Sequence, residues 1–254
     1  MRRIAACATL ALAAVVLTPA AAIAQTPAPA DPSRKWEILD NSFFVEEAFN
    51  QEAGVVQNIF TWTSARSGLW DAGFTQEWPA PGMTHQLSYT LPFASTGEAT
   101  GPGDVLLNYR YQLRTESRSG PAIAPRLSLI LPTGRASEGL GDDVVGLQIN
   151  VPASKQLGDV YLHANVGFTW LPDVQRTPHL AASGIWRAAP MLNLMIEAVV
   201  ELTESVTVSP GLRRGWNIGD HQLVIGAAVP FTREAGATTA TLLGYFSYEL
   251  PFRR

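Results

Sequence analysis

The sequence predicts an all-β protein, a single antiparallel transmembrane β-barrel of about twelve strands. Three observations carry this: apolar and polar residues alternate with period two along most of the chain, most of the alternating runs are about ten residues long, and aromatic residues gather near their ends. Ten residues is what a tilted strand needs to cross a bilayer, whereas soluble sandwiches use shorter strands.

The alternation is explicit in GDVLLNYRYQLR from Gly103. Val105, Leu107, Tyr109, Tyr111 and Leu113 form one row, and Leu106, Asn108, Arg110, Gln112 and Arg114 the other. In VYLHANVGFTW, Leu162, Ala164, Val166, Phe168 and Trp170 stand against Tyr161, His163, Asn165 and Thr169. In MLNLMIEAVVEL, Leu192, Leu194, Ile196, Ala198 and Val200 stand against Asn193, Glu197 and Glu201. Turn-forming clusters such as PAPG at 79 and TGRASEGLGDD at 133 separate runs near 54–64, 69–79, 83–93, 103–115, 121–132, 143–152, 158–171, 179–189, 191–203, 206–217, 220–231 and 239–252. Connection lengths roughly alternate, as periplasmic turns and external loops do. Strand 1 is the weakest, because Asn58 interrupts the row of Val56, Phe60 and Trp62.

Trp70, Trp78, Phe93, Tyr109, Phe168, Trp170, Trp186, Phe231 and Phe252 sit near run ends, as interface girdles require. The polar rows offer Arg110, Arg114, Gln148, Asn150, His163, Asn165, Arg187, Glu197 and Glu201 as the lining of a lumen or solute pathway. Facing lipid, each charge would cost about 2–4 kcal/mol at the bilayer midplane. The charges either pair across the lumen, Arg110, Arg114 and Arg187 with Glu197 and Glu201, or select solutes by charge. The inverse arrangement, apolar inside and polar outside, describes a soluble periplasmic ligand-binding barrel.

The N-terminus reads as a secretory signal over residues 1–24: Arg2 and Arg3, an apolar run, then Ala22 and Ala24 at the cleavage positions. It points to export and to the outer membrane of a Gram-negative bacterium, with outer-membrane lipid and the insertion machinery as partners. Cys7, the sole cysteine, leaves with the signal, so the mature chain has no thiol chemistry. Residues 25–37 form a Pro/Ala-rich tether, and 38–254 are the barrel with a short segment leading into it. Losing Arg2 and Arg3 leaves 16 basic against 22 acidic residues, net −6, and no basic run suits nucleic acid.

The chain resembles the outer-membrane β-barrel family named for the MetA pathway of phenol degradation. The resemblance covers roughly residues 43 to 252. It is carried by Gly103 and Asp104 with Tyr111, Gln112 and Leu113; by Leu131, Pro132, Thr133 and Gly134; by Gly139, Leu140 and Gly141; and by Ser154 to Asp159 followed by Leu162, Ala164, Asn165, Gly167 and Thr169. FFVEEAFNQEAGVVQ is similar to the leading segment of such proteins. The resemblance implies a barrel that passes small hydrophobic or aromatic compounds, with no catalytic residue and no cofactor. One departure is that Arg253 and Arg254 follow Phe252, where outer-membrane strands usually end the chain on an aromatic residue.

Chemical alternatives find little support. His85, His163, His179 and His221 show no defensible spacing to a serine for a hydrolase, and no His or Cys pair has metal-ligand spacing. Asp142 and Asp143 in GLGDD read as a solvated loop tip rather than a calcium site. Glu46 and Glu47, with Glu52 behind them, cannot face one site if the stretch is extended, which counts against a paired-carboxylate centre. Helix propensity in VEEAFNQEA would put Glu46 beside Asn50. The stretch then caps the periplasmic mouth, or tucks into the lumen with a part in gating. A structural barrel with a plugged lumen is the main alternative to a channel.

Overall fold

A computed structural model describes residues 37–252 except 39, 203 and 220. The signal peptide, almost all of the tether, and Arg253 and Arg254 lie outside the described residues. Fifteen strands form one antiparallel sheet: β1 (Val55–Ala65), β2 (Trp70–Pro79), β3 (His85–Ser95), β4 (Thr100–Pro102), β5 (Val105–Tyr111), β6 (Ala122–Ile123), β7 (Arg126–Leu131), β8 (Gly146–Leu157), β9 (Val160–Leu171), β10 (Gln175–Ala189), β11 (Leu192–Glu201), β12 (Ser205–Ile218), β13 (His221–Ala228), β14 (Phe231–Glu234) and β15 (Ala237–Pro251). The first and last pair along their length, from Val55↔Pro251 to Ala65↔Thr241, so the sheet closes on itself and has no free edge.

Three walls are each split in two, so fifteen strands make twelve staves. β4 and β5 part at Gly103 and Asp104, β6 and β7 at Ala124 and Pro125, and β13 and β14 at Val229 and Pro230. Proline has no N–H to give a ladder, which explains two of the breaks. Around these breaks the backbone still pairs: Tyr111 N–H donates to Pro125 O at 3.0 Å, and Thr241 N–H to Pro230 O at 3.0 Å. Strands β8 and β10 run beyond their predicted ends. Lys155 and Gln156, which fall between the predicted runs 143–152 and 158–171, continue β8 opposite Leu162 and Tyr161 of β9. The contrast in connection length is weaker than predicted. Residues 132–145 make one long loop at the mouth away from the N-terminus, but 172–174 and 235–236 at that mouth are short.

The rows face as a membrane wall requires. Ile196 is 57% exposed while its neighbour Glu197 is 1% exposed; Leu212 is 49% exposed and Arg213 is 2%. Outward residues include Phe60, Trp62, Leu107, Val166, Phe168, Trp170 and Phe246, and buried ones include Gln57, Arg110, Asn150, His163 and Asn193. A soluble barrel would show the opposite order, because a charged side chain in the interior costs far more than one in water. This inversion rules out the apolar-core reading. No helix among the described residues is long and apolar enough to cross a membrane.

Candidate functional site: the lumen and the segment that crosses it

The polar lumen is filled by the protein's own N-terminal segment. The described residues of 37–54 come in at the mouth where β1 begins, rise to mid-lumen, and return to the same mouth. At the start Glu37 Oε1 accepts from Arg187 Nη1 at 2.6 Å, and its carbonyl accepts from Gln222 Nε2 at 3.0 Å. Arg187 also binds Asp159 in the β8–β9 turn. At the end, Gly54 O accepts from Phe252 N–H at 2.7 Å. In between, Phe44 turns toward the opposite mouth. It floors a cavity of about 320 Å³ lined by Val199, Glu201, Glu204, Ser205, Thr207, Thr232 and Glu234.

The segment is neither helix nor strand, because wall side chains take its backbone donors. The N–H groups of Phe44 and Val45 both donate to Glu197 Oε1, at 2.8 and 3.1 Å. Glu46 N–H donates to Asn165 Oδ1 at 2.9 Å while Asn165 Nδ2 donates to Glu46 O at 2.8 Å. Ala48 N–H donates to Ser154 Oγ at 2.7 Å. Gln112 repeats the amide clasp: Asn50 N–H donates to its Oε1 at 3.1 Å, and its Nε2 donates to Ala48 O at 2.8 Å. Gln51 N–H donates to Gln86 Oε1 at 2.8 Å. A helix over these residues would need the same N–H groups for its own carbonyls.

Two arginines bind the segment's carbonyls. Arg110 donates to Glu47 O, Phe49 O and Asn50 Oδ1, and Arg213 to Asp40 O and Asn41 O. Asp40 Oδ1 in turn accepts from Tyr245 Oη at 2.6 Å and Gln57 Nε2 at 2.7 Å. Apolar anchors complete the fit. Phe43 packs on Tyr245, ring centroids 5.0 Å apart, and reaches so close to β13 that a Cβ on Gly226 would lie 2.5 Å from its Cζ. Glycine at 226 is therefore what gives the ring its seat.

Of the lumen residues read from the sequence, Arg110, Asn150, Asn165, Arg187 and Glu197 bind the segment directly. Asn150 holds the Glu46 carboxylate from Nδ2 at 2.9 Å, beside Arg126, whose Nη2 lies 2.6 Å from the same oxygen. His163 Nδ1 bonds Ser154 Oγ at 2.7 Å, behind the Ala48 contact. Gln148 joins Arg126 to Thr169. Glu201 is exposed at the far cavity. Arg114 departs from the reading: the stave leaves the barrel after Tyr111, so Arg114 lies exposed in the loop beyond, bridged to Ile123 through its backbone. In place of the ion pairs considered across the lumen, Glu197 and Arg110 bond the segment's backbone and Arg187 bonds the Glu37 carboxylate. Glu46 lies in the lumen; Glu47 is half-buried there, its N–H donating to Asn41 Oδ1 at 3.1 Å; Glu52 is exposed in the turn before β1.

Arg213, Ser154, Gln112, Gln86 and Tyr245 were missed as lumen contacts. Arg213 was findable: in GLRRGWN, strand alternation must send one of Arg213 and Arg214 inward, between small residues Gly211 and Gly215. Asp104 was also missed. Its two carboxylate oxygens accept from Gly134 N–H at 2.8 Å and Asp142 N–H at 2.7 Å, so it pins loop 132–145 at both ends. The GD, LPTG and GLG motifs are thus parts of one interlock. Asp142 spends its backbone there, and no group of three metal-ligating side chains occurs among the described residues. The Ser154–His163 pair is buried under the segment, and no described carboxylate bonds the ring.

No protein-family model matches the chain, and the curated proteins give no match. Solved structures do match. An outer membrane channel from Pseudomonas putida F1 aligns with 84% of this chain and 99% of its own, at 12% identity and a TM-score of 0.59. The fold is that of an outer-membrane β-barrel. Weaker likenesses are to outer membrane phospholipase A from Escherichia coli (10% identity, 87% of this chain and 97% of that one, TM-score 0.46) and to the CymD monoaromatic hydrocarbon channel (7%, 80% and 90%, 0.44).

Proposed function

We propose that this chain is an outer-membrane channel for small solutes, exported to the outer membrane of a Gram-negative bacterium and embedded there in lipid by the insertion machinery. The N-terminal mouth then faces the periplasm. The observation that carries the reading is the wall: an apolar outside around a polar lumen that opens into a cavity above the segment. Such a lumen serves solute passage, and an apolar core would serve neither lipid nor water. The finer reading, small hydrophobic or aromatic solutes, rests on the resemblance to the MetA-pathway family and on Phe44 and Val199 in the cavity. A plugged structural barrel is the second reading, favoured by the segment's contacts with side chains of β1, β3, β5, β7 to β13 and β15. Catalysis has no support in the lumen geometry.

Cell fractionation with a heat-shift gel tests the location: the protein should sit in the outer membrane, with the unboiled band displaced from the boiled one. Uptake of small aromatic compounds into porin-deficient cells tests the passage. Rates should rise in Glu197→Gln and Arg110→Gln variants, which loosen the segment. Uptake equal to that of cells lacking the protein, in all variants, would favour the structural barrel.

A further inference from the structure

We infer that residues 37–51 are a releasable plug, which closes the lumen when docked and opens it by withdrawing to the N-terminal mouth. The inference rests on the channel reading above. Three features of the geometry support it. The segment has no strand partner: wall side chains hold it, chiefly Glu197, Asn165, Ser154, Gln112, Gln86, Arg110 and Arg213. Releasing it therefore leaves every ladder of the barrel intact, including the β1–β15 seam that begins just after it. Both of its ends lie at one mouth, so it can leave without passing its own chain through the wall.

The third feature is where polar groups are left over. Among the described residues ten buried side-chain atoms have no hydrogen-bond partner, and Glu197 Oε2, Arg213 Nε, Asp40 Oδ2 and Asn150 Oδ1 are four of them, each on a residue that takes part in the contact between segment and wall. Buried unpaired polar atoms weaken a contact, and water entering on release would satisfy them. The docked state is held by many bonds and undermined at defined atoms, as a contact that must come apart requires.

A disulfide lock tests this in the full mature chain, which has no cysteine of its own once Cys7 is removed. Ser42 Oγ and Ser183 Oγ touch at 2.8 Å, one on the segment and one on β10. The Ser42→Cys/Ser183→Cys protein is placed in planar bilayers oxidised and reduced, alone and with Asn165→Ala and Gln112→Ala. Oxidised, both forms should stay closed. Reduced, the parent should open intermittently and the clasp variant at least about tenfold more often, since four backbone contacts are lost. An oxidised clasp variant that conducts as freely as the reduced one would overturn the plug while leaving a channel, because current would then pass around the segment. If no form opens, even in urea that leaves the heat-shifted band intact, the channel reading itself fails and the plug with it.

Discussion

Single side chains in this barrel act mostly on backbone. Asp104 is the clearest case, because one carboxylate receives an N–H from each end of a long loop. Asparagine keeps the size but turns one acceptor into a donor that faces an N–H. Hydrogen bonds to charged groups are worth about 1.5–3 kcal/mol each. Asp104→Asn should free the loop without unfolding the barrel. Limited trypsin should cut after Arg135 several-fold faster, with the heat-shifted band unchanged; Asp143→Asn, at an exposed position, should leave cleavage as it was. Gly167 shows the opposite sensitivity, to added volume. A Cβ there would lie 2.3 Å from His179 Nε2 and 2.7 Å from Ile149 O. The imidazole can turn aside but the carbonyl belongs to the β8–β9 ladder. Gly167→Ala should cost about 1–3 kcal/mol, read as a lower temperature for loss of the heat-shifted band.

At the scale of elements, pH reaches the N-terminal segment through Glu47. Burial pushes the Glu47 carboxyl up from 4.5 to about 7, with Arg110 and Arg213 pulling it down and Asp40 and Glu77 adding to the rise. The docked state thus binds the proton more tightly than the released one, where the ordinary value applies. Docking is strongest below about 4.5, weakens as pH rises from there to about 7, and is weakest above. Glu47 keeps some contact with lumen water, which moderates the effect. Protection of the segment from protease should fall between pH 5 and pH 8, and Glu47→Gln should flatten that dependence. Little of this was legible in the sequence. The staves announce themselves through period two, a local signal. The segment has no period, because its donors are matched by residues as distant as Glu197 and Asn165. Asn58, which interrupts the first apolar row, sits on the outer face and accepts from Gln76 Nε2 at 2.8 Å. That cross-strand pairing is why β1 tolerates it.

For the whole molecule, the decisive property is which face of the cylinder is apolar, and here the sequence was readable. The row containing Leu194, Ile196 and Ala198 and the row containing Asn193, Glu197 and Glu201 differ so sharply that a strand can orient them only one way around a wet lumen. What remained open was whether the lumen would be empty, ion-paired or filled by chain, since each choice uses the same arginines and glutamates. The orientation has a consequence that the lumen contents do not alter. Ile196 is 57% exposed on the outer face, near the middle of β11, and Thr207 faces the lumen on β12. Lysine at position 196 must place an ammonium against hydrocarbon, at about 2–4 kcal/mol near the midplane. Lysine at 207 meets the water and carboxylates of the cavity. In lipid vesicles, Ile196→Lys should lower the urea midpoint for unfolding and Thr207→Lys should leave it nearly unchanged. In an aqueous barrel the exposed lysine at 196 would be harmless, so equal midpoints for the two variants would mean that the apolar face does not meet lipid.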